Sequence, residues 1–226
     1  MKSLSFSLPV SDNFKLDIKD LDTTQTLNFF IGPNGSGKSC LLRELCNRLS
    51  SGRLIYMPAE FEVNPELSVW ECLEIFDQTE VPKAFDLEHL SVKSSLKNLS
   101  SGTKQRLLLA LLLNHPNCDT LLLDEPTNFL DPKYKLELME ALLNSPKQLY
   151  IASHDLHWFV NATNCQLFLL NDGKISSRGN CLEVLRSEEI SAAFGLNFHL
   201  TNSQIANKER WGIFYEKVGF RREEQS

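Results

Sequence analysis

Nothing in this chain restricts its fold more than the run Gly32-Pro33-Asn34-Gly35-Ser36-Gly37-Lys38-Ser39, which matches the pattern G-x-x-x-x-G-K-S. The pattern works only where a strand hands over to a helix, and both neighbours have that character. Leu27-Asn28-Phe29-Phe30-Ile31 is a short apolar run of strand type, while Leu41, Leu42, Leu45 and Leu49 recur at helical spacing. Glycines at 32, 35 and 37 let backbone N–H groups turn inward around phosphate oxygens, and the positive end of the helix dipole adds to the attraction. Lys38 then reaches β- and γ-phosphates, and the Ser39 hydroxyl joins the shell of a Mg²⁺ ion. The stretch from Gly32 to Cys40 is therefore expected to recognise a triphosphate before it recognises any base.

The alternation of strand and helix continues downstream. Strand candidates at Leu54–Met57, Thr120–Leu123, Leu149–Ala152 and Gln166–Leu170 are separated by stretches of helical period. Among these are Val69–Phe76, Lys104–Asn114 and Tyr134–Asn144, punctuated by Pro116, Pro132 and Pro146. Such alternation predicts an α/β fold, a mostly parallel sheet with helices over both faces. At 226 residues and 42% hydrophobic content, the expectation is one domain over 1–226 with a substantial core.

Several function classes are disfavoured at once. The longest apolar run, Leu107–Leu113, falls far short of the ~20 residues a membrane-spanning helix needs. Met1–Asn13 does not read as a signal peptide. A net charge of −6 argues against nucleic acid as the main ligand. The six cysteines (Cys40, Cys46, Cys72, Cys118, Cys165, Cys181) include no C-x-x-C pair, so neither a zinc site nor a small disulfide framework is indicated and reduced thiols are expected. Arg221–Glu224 is expected to be a solvated tail.

A second constellation is independent of the first. Leu121-Leu122-Leu123 delivers two adjacent carboxylates, Asp124 and Glu125, at the C-terminal end of a strand, where open α/β sheets bind ligands. Because side chains alternate along a strand, the two diverge. Asp124 is assigned to the metal and Glu125 to the general base that faces the attacking water. Between the two constellations, Leu99-Ser100-Ser101-Gly102-Thr103-Lys104-Gln105-Arg106 precedes an unbroken leucine-rich run. Alone it reads as a buried helix capped by Ser100 or Ser101.

In this order the three motifs resemble the ATP-binding cassette (ABC) family over residues 25–185. The resemblance implies a P-loop NTPase fold with a helical subdomain, here reduced and placed at about 60–105. It implies ATP and Mg²⁺ as cofactors, with Lys38, Glu125 and a switch histidine, His154, as catalytic residues. Pro126-Thr127-Asn128-Phe129-Leu130-Asp131 is similar to the family's D-loop. Two copies are implied to close head to tail, so that the signature residues Ser100, Ser101, Gly102 and Thr103 act in trans on the other copy's nucleotide.

The chain also departs from the family. Ser101 stands where a glycine is usual and Thr103 where a glutamine is. Ala59 falls at the position of the Q-loop glutamine, and Glu60 is the nearest substitute as a metal ligand. The spans from Lys38 to Ala59 and from Ala59 to Leu99 are short, which implies that much of a β-hairpin subdomain and part of the helical lobe are missing. Phe6, Phe14 and Leu16 lie where an adenine-stacking aromatic is expected, without a pattern that selects one.

Leu167–Ile175, Gly179, Glu183–Leu185 and Ala193–Phe198 are similar to the closing segment of ATPases that serve importers of vitamin B12, haem and ferric siderophores. That similarity implies a cytoplasmic subunit, peripheral on the membrane's inner face, that powers import through a separate membrane permease and, indirectly, a substrate-binding protein. The alternatives are the ATPase of a small exporter, such as a haem exporter, and a soluble regulatory cassette.

Overall fold

The computed structural model describes residues 3–22, 24–49, 52–61, 63–205 and 208–217. The expected tail at Arg221–Glu224 lies outside them. At the centre is a six-stranded sheet. Its five parallel strands are β3 (Leu27–Ile31), β4 (Leu54–Met57), β5 (Thr120–Asp124), β6 (Gln148–Ser153) and β7 (Gln166–Asn171), and β8 (Lys174–Gly179) closes one edge antiparallel to β7. The spatial order is β4-β5-β6-β3-β7-β8.

Strand β3 is buried at every position, as a strand covered on both faces must be. Alternate residues feed two cores. Phe29, Ile31, Leu121, Leu123, Ile151 and Leu169 pack to one side, against the leucines of helix α3 (Ser101–Leu113) and of α4 (Pro132–Leu143). Phe30, Leu122, Tyr150, Phe168 and Leu170 pack to the other, against Leu41, Leu42 and Leu45 of α1 (Lys38–Arg48). The Phe30 ring stacks between Tyr150 and Phe168, with centroids 6.4 and 5.3 Å away.

The remaining helices are short. They are α2 (Val69–Ile75), fixed by a capping box between Ser68 and Glu71, α5 (Leu156–Phe159), α6 (Cys181–Leu185) and α7 (Glu188–Phe194). Between β4 and α3, among the described residues, only α2 and one 3-10 turn at Leu96–Asn98 are regular helix.

Three features depart from the sequence expectation. A β-hairpin expected to be largely lost is present ahead of the phosphate loop, as β1 (Leu4–Ser11) paired antiparallel with β2 (Phe14–Leu21). The short span after Lys38 instead corresponds to a direct passage from α1 to β4. A second hairpin, β9 (Leu196–Ile205) with β10 (Lys208–Lys217), follows α7 in uninterrupted register. Finally, α3 begins at Ser101, three residues ahead of the apolar-period candidate at Lys104 and under the Ser100 cap that the Ser-Ser-Gly start predicts.

Candidate functional site

The phosphate loop is held from below by β7. A Cβ on Gly32 would lie 2.3 Å from the Leu170 carbonyl oxygen, so no larger residue fits there. The turn between β7 and β8 adds a second anchor, as the Gly173 N–H donates to the Ser36 carbonyl at 3.1 Å. Lys38 opens α1 and is 6% exposed. Its ammonium donates to the carbonyls of Gly32 (2.8 Å) and Pro33 (3.1 Å) and lies 3.9 Å from Glu125 Oε1. Burial draws its pKa below the ordinary lysine range, against the opposing pull of Glu125 and Asp124.

Asp124 ends β5, where it is 1% exposed and opposite Ala152 of β6. Burial pushes its carboxyl above the usual aspartate range, opposed by a hydrogen bond with Ser39 and by Lys38. Its Oδ1 is buried without a hydrogen-bond partner. An orphaned anionic oxygen beside a serine hydroxyl is the donor set a hard divalent cation takes, so Asp124 and Ser39 fit the Mg²⁺ expected of them.

Glu125 leaves the strand with φ +48°, and its N–H donates to the Ala152 carbonyl at 2.9 Å. That turn brings its carboxylate to β6. Oε2 accepts from Ser153 Oγ (3.3 Å) and His154 N (3.3 Å) and lies 2.9 Å from His154 Nδ1. His154 itself is half exposed, while Asp155 beside it is anchored to Lys135 at 2.6 Å. The structure thus brings Lys38, Ser39, Asp124, Glu125 and His154 to one end of the parallel strands.

A cleft of about 500 Å³ opens over this end, within the range of small-molecule sites. Asn34, Gly35, Gly37, Lys38, Ser39 and Cys40 form its floor, with Glu125 and Ala59 at one side. Phe14 also lines it, with its ring against Gly37. Leu16 is fully buried, and Phe6 lies under the Arg48 guanidinium at 4.6 Å. Of the three residues that sequence could not rank, only Phe14 lines the cleft. The hairpin register decides this, and no local motif announces it.

Other expected residues lie elsewhere. Ser100 caps α3, its Oγ accepting from the Thr103 N–H at 3.1 Å, and Arg106 donates to Thr103 Oγ1 at 3.1 Å. Ser100, Ser101, Gly102 and Thr103 do not line the cleft. They pack toward the loop after Glu125, where Gln105 donates to the Pro126 carbonyl at 3.0 Å and a Cβ on Gly102 would lie 2.9 Å from the Phe129 carbonyl. Asp131 precedes α4 without a side-chain cap bond. Glu60 is exposed, and the neighbouring residue that lines the cleft is Ala59.

Comparison with known proteins places these features in context. A family model described as "AAA domain, putative AbiEii toxin, Type IV TA system" matches residues 73–169. The zinc import ATP-binding protein of Psychrobacter cryohalolentis is 31% identical over 211 residues, covering 82% of this chain and 83% of that protein. The ferric enterobactin transport ATP-binding protein of Escherichia coli is 28% identical, covering 87% and 86% respectively. Among solved structures, one titled "An inward-facing conformation of a putative metal-chelate type ABC transporter" superposes with a TM-score of 0.78 at 21% identity, over 96% of this chain and 99% of that one. At that identity the likeness establishes the fold.

Proposed function

The chain belongs to the ATP-binding cassette family of ATPases, and from that premise we propose that it powers import of a metal chelate or cobalamin-like nutrient, as a head-to-tail homodimer on a separate membrane permease. Relatives named for zinc and ferric enterobactin support the importer reading. A groove between the loop after β4 and α3, lined by Phe61, Val63, Leu108 and the 70% exposed Phe129 together with Ser101, Lys104 and Gln105, lies against the signature. Among the described residues, no helix is long and apolar enough to cross a membrane.

The observation that carries the dimer is the separation of the signature from the cleft. Within one chain the nucleotide meets Lys38, Ser39, Asp124 and Glu125, while Ser100 and Gly102 stay outside. With nucleotide bound, Lys38 would exchange the Gly32 and Pro33 carbonyls for phosphate oxygens, and Ser39 and Asp124 would hold Mg²⁺. That cation, when bound, neutralises charge on the β- and γ-phosphates. Glu125 takes the proton of the attacking water, and His154 orients its carboxylate from 2.9 Å.

Mixing two inactive variants tests the arrangement. Ser100→Arg disables the signature and Lys38→Ala the phosphate loop, so each alone is expected to hydrolyse no ATP. Statistical exchange rebuilds one complete site in each mixed dimer, and the mixture should recover about a quarter of parental ATPase activity. No recovery, with exchange verified by tagged copies, would show that the signature does not act across a dimer.

A further inference from the structure

Two of the six cysteines meet. The Sγ atoms of Cys165 and Cys181 lie 3.2 Å apart although the residues are 16 positions apart in sequence, and both side chains are buried. Cys165 sits just before β7 and Cys181 just after β8, at the start of α6. Leu167 opposes Gly179 and Phe168 opposes Arg178 in the β7–β8 register, and continuing that register outward by two residues sets position 165 opposite 181. We infer that Cys165 and Cys181 form a dithiol modification site that a hydroperoxide oxidises to a disulfide, tying the open end of the β7–β8 hairpin. This inference stands on the hairpin alone and is independent of what the ATPase powers.

Bonding needs the sulfurs to close from 3.2 Å to about 2.05 Å, within the reach of side-chain rotation in a cross-strand pair. The two thiols are also unequal. The bond between the two sulfurs, and then burial, pushes Cys181 up, and the same bond draws Cys165 below the ordinary cysteine value. Cys165 is also the sulfur nearer solvent, next to exposed Thr163 and Asn164. It therefore acts first. Its thiolate attacks hydrogen peroxide, an S–O bond forms as the O–O bond breaks, and the departing hydroxide takes up the thiol proton as water. Cys181 sulfur then attacks the sulfenic acid, an S–S bond forms as the S–O bond breaks, and the Cys181 proton leaves with the hydroxyl as a second water. Two thiols and one peroxide give one disulfide and two waters.

The closed end of the same hairpin already holds the phosphate loop, through Gly173 to Ser36, and β2, through Asp17 N–H to the Gly173 carbonyl at 2.8 Å. A bridge at the open end fixes both ends. The full-length protein, treated natively with hydrogen peroxide, alkylated in denaturant and mapped by mass spectrometry, should yield one linked peptide pair, Cys165 with Cys181, about 2 Da below the reduced sum. The Tm should rise by about 5–10 °C and return to its starting value with dithiothreitol. Cys181→Ala should leave Cys165 as a sulfenic acid that dimedone traps. Both residues alkylated after oxidation, a bridge to another cysteine instead, or a lower Tm on bridging would overturn the inference. Peptide mapping of the parent protein decides it even if the variant does not fold.

Discussion

Asp124 shows how function and stability oppose each other at one residue. Its carboxylate is buried with one oxygen unpartnered, and burial raises its pKa, so the ionised form is less favourable in the folded chain than in the unfolded one. A carboxyl with a raised folded pKa contributes most stability in acid and loses it as pH rises through its unfolded and then its folded value. Asp124→Asn should therefore raise the Tm of the nucleotide-free protein at neutral pH by a few degrees, about 2–4 °C, while abolishing Mg²⁺-dependent hydrolysis. The Tm difference should vanish below the ordinary aspartate range. Thermal scans across pH check this, and a variant less stable than its parent at pH 7 would mean that the carboxylate is compensated by contacts other than those described. The identities at this site were legible in sequence because each chemistry-bearing residue lies in a short motif. The exception is Phe14, whose place in the cleft depends on a hairpin turn and not on its neighbours in sequence.

Among the elements, those buried on both faces were readable, and those at the edges were not. Strands β3, β5 and β6 are mostly apolar and buried along their length, and the alternation that separates them from helices predicts the parallel sheet. Strand β8 carries one large apolar residue, Ile175, and so presents little apolar signal, whereas β9 alternates Leu196, Phe198 and Leu200 with Asn197, His199 and Thr201 before its second half turns polar. The Asp172-Gly173 turn joins β7 to β8. Both central residues have positive φ, +46° and +73°, as a tight hairpin turn requires. Gly173 also has the Lys15 carbonyl oxygen 2.1 Å from where a Cβ would sit. Gly173→Ala should therefore displace the turn from β2 and from Ser36, lowering both Tm and ATP affinity, the latter at least about tenfold, through the loss of geometry rather than charge. Calorimetric titration with ATP checks it. Unchanged affinity would mean that the phosphate loop keeps its shape without the hairpin.

On the scale of the whole molecule, the cleft and the signature lie on separate surfaces of one chain, and the apolar groove beside α3 lies on neither wall of the cleft. Motif order alone pointed to the family, but no motif encodes where these surfaces lie. Hydrolysis of ATP in the cleft, with Glu125 as base and His154 orienting it, is put to the test by Glu125→Gln. Removing the base while keeping shape and hydrogen-bond reach should leave ATP affinity near parental and lower turnover at least about 100-fold. ATP should then accumulate a dimer visible by light scattering. Turnover within a few-fold of the parent, measured on the same preparation, would contradict the assignment and place the base elsewhere.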